Sequence, residues 1–233
     1  MMFYILNYKQ MENFDIMDTQ AINIPLIGEE APAFKAASTQ GPINFPKDYK
    51  GKWVVLFSHP ADFTPVCTTE FISFQKHYDE FKKRNCELIG YSVDGVHSHI
   101  AWIKNIKEKF DVEIQFPIAA HPSIAYKYGM LHPTADDSHT VRAVFIIDPD
   151  GKIATVLYYP SSNGRNIKEI LRLLDALQVT YNHGRATPAN WPENEIFGDK
   201  VIVPPAESCQ QAKENTEKFE CKDWYICTDE NPN

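Results

Sequence analysis

Hydrophobic and polar positions follow two different rhythms along the middle of the chain. From Ile43 to about Gln178, short runs rich in β-branched residues alternate with longer segments whose apolar positions recur every three or four residues. The short runs are typical of buried strands, and the longer segments are typical of amphipathic helices. The alternation predicts an α/β fold in which helices cover the faces of a sheet.

The first unit of this pattern is a strand, a short loop and a helix. Residues 53–60 (WVVLFSHP) form an apolar run, and a proline-rich turn separates them from a helical pattern at 67–85. The apolar face of that helix consists of Phe71, Phe74, Tyr78 and Phe81. We therefore predict a buried strand followed by a helix that begins near Cys67.

The later segments continue the alternation. We predict a strand at 86–94, a helix at 97–110, a strand at 116–122, a hairpin at 142–159 and a helix at 167–179. The predicted inner face of the helix at 97–110 is Ile100, Ile103, Ile106 and Phe110. The hairpin turn contains Pro149, which fixes φ, and Gly151, which supplies a positive φ.

The two ends of the chain differ from this middle part. We predict an extension at 1–22, a core domain at 23–180 and a C-terminal domain at 181–233. The extension has no basic start or small-residue cleavage site, so we expect no secretory signal, and Met11 and Met17 are possible starts. The C-terminal part is rich in proline and cannot hold a large core alone. Its apolar residues predict a partner surface and a homodimer; they are Trp191, Ile196, Phe197, Val201 and Ile202.

Charge and cysteine content narrow the function classes. The formal charge of −8 and the pI near 5.5 argue against nucleic acid or an anionic membrane as the main partner. No segment approaches the ~18 consecutive apolar residues of a membrane span. Five cysteines are too few and too unevenly spaced for a secreted disulfide scaffold. We expect a cytoplasmic protein whose cysteines serve chemistry or packing.

Cys67 is the cysteine with the clearest chemical position. It lies where the predicted helix begins, and unpaired N–H groups and the positive end of the helix dipole favour a thiolate there. The alternative is a buried structural cysteine. Pro65 suits a helix start, and the hydroxyl of Thr64 could either donate to a bound oxygen or cap the helix.

The segment HPADFTPVCTTE resembles the peroxiredoxin signature, with Pro60, Thr64 and Cys67 in the matching positions. The similarity extends from Pro25 to about Asn231 and is closest to the long-tailed branch called one-cysteine. It implies a thioredoxin-like three-layer core, with a central mixed sheet and helices on both faces, and a C-terminal dimerisation domain. It also implies a peroxidase that uses no cofactor: Cys67 attacks a hydroperoxide and becomes a sulfenic acid.

The resemblance assigns further residues to the site. Arg142 corresponds to the family arginine that contacts the peroxide and the sulfur; the alternative is a strand-edge arginine paired with a surface carboxylate. Arg165 resembles a second arginine near the substrate pocket. His59 matches a histidine that can contact the sulfur or its oxidised forms, and its alternative is a packed corner residue. The remaining histidines show no zinc spacing, so we predict no metal.

The other cysteines have separate predicted fates. Cys86 opens a strand and is expected to be packed, and Cys209 has no assigned task. The tail CKDWYIC resembles archaeal-type members, in which the tail of one subunit reaches the active site of its neighbour. That resemblance implies Cys227 as the resolving cysteine and Cys221 as a relay or alternate partner. The remaining possibility is an external thiol as resolver.

Two other function classes compete with the peroxidase. A thiol-disulfide oxidoreductase shares the core fold but needs a C-x-x-C pair, and the position three before Cys67 is Thr64. A ring-forming holdase chaperone is the second alternative. A lipase site is not expected, because Lys52 stands where related proteins with that activity carry serine. The expected partners are a peroxide, a thiol reductant and further copies of the chain, as a homodimer and a ring of five dimers.

Overall fold

The structure is a computed structural model that describes residues 24–135 and 138–232. The predicted extension at 1–22, with Met11 and Met17, lies outside the described residues. Within the described ranges, no helix is both long enough and apolar enough to cross a membrane.

A seven-stranded mixed sheet forms the centre of the fold. Its strands are β1 (Phe34–Ser38), β2 (Ile43–Phe45), β3 (Trp53–Ser58), β4 (Cys86–Ser92), β5 (Ile118–Ala120), β6 (Arg142–Ile147) and β7 (Ile153–Tyr159). Their order is β2-β1-β5-β4-β3-β6-β7. The pairs β3/β4 and β4/β5 are parallel, and the other pairs are antiparallel. The prediction of a mixed sheet is confirmed.

Helices cover both faces of this sheet. They are α1 (Pro65–Lys76), α2 (Tyr78–Lys83), α3 (Val96–Phe110), α4 (Pro122–Lys127) and α5 (Ile167–His183). Because side chains alternate across a strand, Val55 and Phe57 of β3 pack in one cluster with α1, α2, α3 and α5. Val54 and Leu56 face the opposite cluster, which includes α4. The predicted three-layer arrangement is confirmed.

The strand predicted at 53–60 and the helix predicted at 67–85 are present, with one difference in the helix. The predicted face of Phe71, Phe74, Tyr78 and Phe81 is buried throughout. The predicted single helix at 67–85 is two helices, because the backbone leaves helical geometry at His77 (φ −104°, ψ 5°). The ring Nδ1 of His77 donates to the carbonyl oxygen of Ser73 at 2.8 Å. A side chain bonded to its own helix in this way competes with continuation of the helix.

Two other predictions of local structure need correction. On α3 the predicted Ile106 is buried and Ile103 packs against the same cluster, but His99 and Trp102 complete the buried face and Phe110 is 55% exposed. Trp102 packs against Phe71 with ring centroids 4.7 Å apart, so the largest side chain sets the rotation of the helix. The sheet also begins earlier than Ile43, because β1 alternates buried and exposed positions over only five residues and gives a weak signal.

The C-terminal part adds a small sheet and one helix. It contains β8 (Val201–Ile202), α6 (Cys209–Lys218), β9 (Glu220–Asp223) and β10 (Ile226–Asp229), with the strand order β8-β10-β9. α5 continues past the predicted end at 179 to His183, where Gly184 adopts the left-handed conformation (φ 60°) and ends it. A boundary at residue 180 therefore falls inside α5.

Not all apolar residues of this part need a second subunit. Trp191 and Val201 are buried against Ala176 and Val179 of α5 in the same chain. The sequence-based argument that they require a partner surface is wrong, because α5 presents a second apolar stripe beyond the core. Ile196, by contrast, is 71% exposed.

Candidate active site

Cys67 lies on the first turn of α1, which follows the loop after β3, as predicted. Thr64 occupies the N-cap position in extended conformation, and Pro65 is the first helical residue, where its missing N–H costs nothing. Cys67 follows two residues later and is completely buried. The sulfur thus lies near the unpaired amide groups of a helix N-terminus.

Thr64 does not cap the helix through its side chain. Its Oγ1 donates to the carbonyl oxygen of Ala61 at 2.8 Å, and no side-chain capping bond forms at this helix start. The capping alternative for Thr64 is therefore wrong. The hydroxyl instead closes the turn from Ala61 to Thr64, which follows the buried Pro60 and contains Phe63 at a positive φ of 55°. This turn positions the entry to α1.

Arg142 contacts the sulfur directly. It lies at the start of β6, is 2% exposed, and donates from Nη1 to Cys67 Sγ at 3.3 Å. Its Nε and Nη2 both donate to the carbonyl oxygen of Ser161, at 3.0 and 2.6 Å, which fixes the plane of the guanidinium. The alternative of a strand-edge arginine paired with a surface carboxylate does not describe this buried side chain.

Glu70 is the site residue that sequence reasoning missed. Its carboxylate accepts from Arg142 Nη1 at 2.6 Å and from Arg165 Nε and Nη2 at 2.8 and 2.7 Å. The available signal was its spacing: Glu70 follows Cys67 by three residues and therefore shares its helix face. Whether that face was buried could not be known from the sequence.

Charge compensation makes this buried cluster possible. Burial by itself would raise the pKa of Glu70, but the guanidinium groups of Arg165 and Arg142 outweigh burial and hold that pKa below its ordinary value. Glu70 is therefore an anion that balances part of the positive charge beside Cys67. The second arginine still leaves positive charge available for a thiolate or a polarised peroxide.

Arg165 lies behind Glu70 and not at the sulfur. Besides its bonds to Glu70, its Nη1 donates to the carbonyl oxygens of Ser58 and Ala143, at 2.8 and 3.0 Å. Those two residues belong to the neighbouring strands β3 and β6. Arg165 therefore ties α1 to the sheet through Glu70, and its predicted direct role in substrate binding stays a prediction.

His59 belongs to a buried cluster that the sequence did not indicate. His59 and His99 are completely buried, and Asp62 accepts from His59 Nε2 at 2.9 Å and from His99 Nδ1 at 2.8 Å. The ring of His59 stacks on Trp102 at 5.1 Å and meets the edge of Phe71 at 4.7 Å. One ligand atom from each of the three polar residues lies within 4.8 Å of the others. Hydrogen bonds already connect these atoms, and the absence of a metal stays a prediction.

The cysteines of the tail form a disulfide with each other. Cys221 on β9 and Cys227 on β10 are register partners, and their Cα atoms are 4.0 Å apart. Cys67, Cys86 and Cys209 are free thiols. Cys86 is 1% exposed, so its predicted packing role is confirmed, and burial raises its pKa well above the ordinary value. Cys209 is exposed.

Comparison with known proteins decides the family. The AhpC/TSA family model matches residues 27–156, and the model for the C-terminal domain of 1-Cys peroxiredoxin matches residues 176–218. A peroxiredoxin from Ignicoccus hospitalis is 61% identical over 211 residues, which cover 90% of each chain. The chain belongs to the peroxiredoxin family. The resemblance of the HPADFTPVCTTE segment is thereby confirmed over most of the sequence.

Solved structures place this peroxiredoxin in the same fold. Peroxiredoxin 6 of Arenicola marina is 37% identical, has a TM-score of 0.78, and covers 89% of this chain and 99% of its own. A yeast mitochondrial 1-Cys peroxiredoxin is 42% identical, has a TM-score of 0.76, and covers 88% of this chain and 99% of its own. The predicted thioredoxin-like core with a C-terminal extension is confirmed. The peroxiredoxin is accordingly a thiol peroxidase, an oxidoreductase that acts on peroxide.

Proposed function

We propose that Cys67 is the peroxidatic residue of this peroxiredoxin and that hydrogen peroxide and organic hydroperoxides are its substrates. The observation that carries the proposal is the 3.3 Å hydrogen bond from Arg142 to the sulfur of Cys67. A buried guanidinium that already has Glu70 as partner would not need a cysteine for stability. Its contact with the sulfur places positive charge where a thiolate reacts.

In the proposed step, the sulfur anion of Cys67 attacks the nearer peroxide oxygen. The S–O bond forms as the O–O bond breaks, and the leaving alkoxide or hydroxide takes up a proton from solvent. The sulfur is oxidised to a sulfenic acid and the peroxide is reduced. The N–H groups at the start of α1 are the proposed donors to the peroxide oxygens, and Thr64 joins them when its hydroxyl proton turns from the carbonyl oxygen of Ala61 to the peroxide. Arg142 stabilises the charge that moves between the peroxide oxygens.

For the second half-reaction we propose resolution by Cys227 of a neighbouring subunit. Trp224 and Tyr225, at the tip of the β9–β10 hairpin, are 54% and 57% exposed. Beside Thr64 the chain has a shallow groove whose apolar walls include Ile72, Trp102 and Phe110. An aromatic hairpin tip on one subunit and an apolar groove next to Cys67 on another suit each other as contact surfaces.

The Cys221–Cys227 disulfide supports a relay role for Cys221. Cys227, as a thiolate, condenses with the sulfenic acid of Cys67 and releases water, which forms a disulfide between subunits. Cys221, as a thiolate, then attacks Cys227, so that the Cys221–Cys227 disulfide forms and Cys67 leaves as a thiolate. An external dithiol reduces the disulfide and completes the cycle. The yeast relative is described with a thiol resolving mechanism through glutathione and thioredoxin systems.

The burial of Cys67 sets a condition on this cycle. The sulfur is completely buried, and Cys227 is 3% exposed within its own hairpin. Two buried sulfur atoms cannot reach bonding distance unless both segments open. We infer that the first turn of α1 unwinds after oxidation, and that the turn around Phe63 and Thr64 moves with it.

We also make proposals for the oligomeric state, the location and the domain organisation of the protein. The exposed Ile196 and the exposed hairpin tip support a homodimer, and we propose a ring of five dimers as its larger state. We propose the cytoplasm as the location, because the three free thiols suit a reducing compartment. For the domain organisation we propose an extension at 1–22, a core domain and a C-terminal domain, with the predicted boundary at residue 180 moved to Gly184, where α5 ends.

The test is peroxide consumption with dithiothreitol by the wild type, Cys67→Ser, Cys227→Ser and the matched control Cys209→Ser, with non-reducing gels of each. The expected result is loss of turnover in Cys67→Ser and full activity in Cys209→Ser. Loss of the disulfide-linked dimer in Cys227→Ser supports resolution between subunits. Full activity of Cys67→Ser would overturn the proposal.

A further inference from the structure

The cluster of His59, Asp62 and His99 contains two buried nitrogen atoms without a hydrogen-bond partner. Within residues 24–135 and 138–232, neither Nδ1 of His59 nor Nε2 of His99 has a partner. Both rings are completely buried. Buried polar atoms in native structures are nearly always paired, so two unpaired nitrogens in a cluster that packs on Phe71 of α1 require an explanation.

The hydrogen bonds to Asp62 fix which nitrogen of each ring carries the proton. The pKa of Asp62 is raised by burial but lowered further by the hydrogen bonds from His59 and His99, so the carboxyl group is an anion that can only accept. Burial lowers the pKa of His59, so that ring is neutral and has one N–H. His59 therefore carries its proton on Nε2, which faces Asp62. Its Nδ1 carries a lone pair.

His99 determines whether Asp62 stays a carboxylate and so keeps the proton of His59 on Nε2. Its Nδ1 lies 3.0 Å from Oδ1 and 2.8 Å from Oδ2 of Asp62, so one N–H bridges both oxygens. A second anchor is the backbone N–H of Asp62, which donates to Asp94 at 2.9 Å. Without the N–H of His99, the buried carboxylate would keep one side-chain donor, His59. The pKa of Asp62 would then rise, because burial disfavours the carboxylate and one of the two histidine donors that lower this pKa would be gone.

A protonated Asp62 would reverse the polarity of its bond to His59. The carboxyl O–H would donate to Nε2 of His59, and the imidazole proton would move to Nδ1. The ring of His59 packs on Phe71, which lies one helical turn after Cys67 on α1. Nδ1 of His59 would then carry a proton in place of its lone pair. This change would occur in the layer of side chains that packs on α1, the helix of Cys67.

We propose that His99 is a positioning residue of the peroxidase, which acts through Asp62 to hold His59 in the tautomer with a lone pair on Nδ1. The inference rests on the proposed peroxidatic function of Cys67 and on the role at that sulfur which the family resemblance implies for His59. In the resting site this lone pair has no partner, and it is therefore free to accept the proton of the sulfenic acid that forms when Cys67 is oxidised. His99 itself contacts neither the sulfur nor the peroxide.

The experiment compares His99→Leu with His99→Asn in the full-length protein. Asparagine can place an amide N–H where Nδ1 of histidine lies, whereas leucine removes the donor and keeps an apolar side chain. The exposed His183→Leu is the control outside the cluster. The first readout is ¹⁵N solid-state NMR of histidine-labelled protein, in which the His59 signal is assigned by its loss in His59→Asn. The second is the stopped-flow rate of Cys67 oxidation by hydrogen peroxide.

The expected result is that His99→Leu moves the His59 proton to Nδ1 and slows oxidation at least about 10-fold. His99→Asn should keep the wild-type tautomer and most of the rate, and His183→Leu should change neither. The proposal is overturned if His99→Leu leaves the tautomer unchanged, or if both His99 variants lose the same activity. An inactive wild type would refute the proposed function instead, and the tautomer measurement would remain a separate test of the inference.

Discussion

Arg165 and Glu70 form a paired, fully buried ionic contact in which Nε and Nη2 of the arginine meet the two carboxylate oxygens at 2.8 and 2.7 Å. The same carboxylate accepts a hydrogen bond from Arg142, and Arg142 also donates to the sulfur of Cys67. The ion pair is thus both a structural link between α1 and the sheet and the support of the reactive centre. Removing one partner should affect stability and activity together.

Glu70→Gln should destabilise the protein by about 3–5 kcal/mol, because two buried guanidinium groups lose their shared anion. The measurement is the free energy of unfolding from urea denaturation. Glu217→Gln is the control, since its carboxylate is 66% exposed and lies 3.9 Å from Lys213, and it should cost less than about 1 kcal/mol. Equal losses in the two variants would contradict the assigned role of Glu70.

The stability difference between the wild type and Glu70→Gln should depend on pH. Because the folded pKa of Glu70 lies below the ordinary 4.5, its contribution is complete above that value and is lost as the pH falls through the folded pKa. The difference should therefore be constant from pH 7 to about pH 5 and narrow in more acidic solution. A difference that widened toward acid would mean that Glu70 is protonated in the folded protein.

Arg142→Met should lower the rate of Cys67 oxidation by a factor on the order of 100 to 1,000, because it removes the donor nearest to the developing charge. Arg142→Lys should be impaired as well, since an ammonium cannot contact Ser161, Glu70 and the sulfur at once. Arg172→Lys is the control, because this half-buried arginine of α5 bonds to Glu169 and to the carbonyl oxygen of Trp191, away from the sulfur. The rate is measured by stopped flow under single-turnover conditions, and a wild-type rate in Arg142→Met would refute the role of this arginine.

Cys221→Ser should accumulate a disulfide-linked dimer after one equivalent of peroxide. The variant can form the Cys67–Cys227 bond between subunits but lacks the thiolate that displaces Cys67 from it. Non-reducing gels and peptide mapping should identify that bond in Cys221→Ser and show much less of it in the wild type. A monomer band alone in Cys221→Ser would argue for an external thiol as the resolver.

Gly90→Ala should destabilise the core by about 1–3 kcal/mol, because a methyl group at this position would overpack the site. The new Cβ would lie 3.0 Å from Cζ of Phe71 and 3.5 Å from Cζ of Phe57. Phe71→Leu should relieve part of this cost, so the double variant should be more stable than the sum of the single effects predicts. Additive losses in thermal unfolding would show that Phe71 is not the obstacle.

The sequence by itself determined the strongly periodic elements and the reactive turn. The apolar run before HPADFTPVCTTE, the face of Phe71 and Phe74, and the hairpin turn at Pro149 and Gly151 depend on interactions between near neighbours, and the structure confirms all of them. Cys67 could be placed on a first helical turn for the same reason, since a proline at the helix start is a local signal.

Tertiary structure alone decided which distant polar groups meet. Glu70 lies 95 residues from Arg165 and 72 from Arg142, and Asp62 lies 37 from His99. Such contacts depend on how α1, α3 and the sheet pack, and each residue taken singly has the character of a surface residue. The rotation of α3 toward Trp102 and the burial of Trp191 on α5 also depend on packing, because local periodicity does not say which of several apolar faces finds a partner.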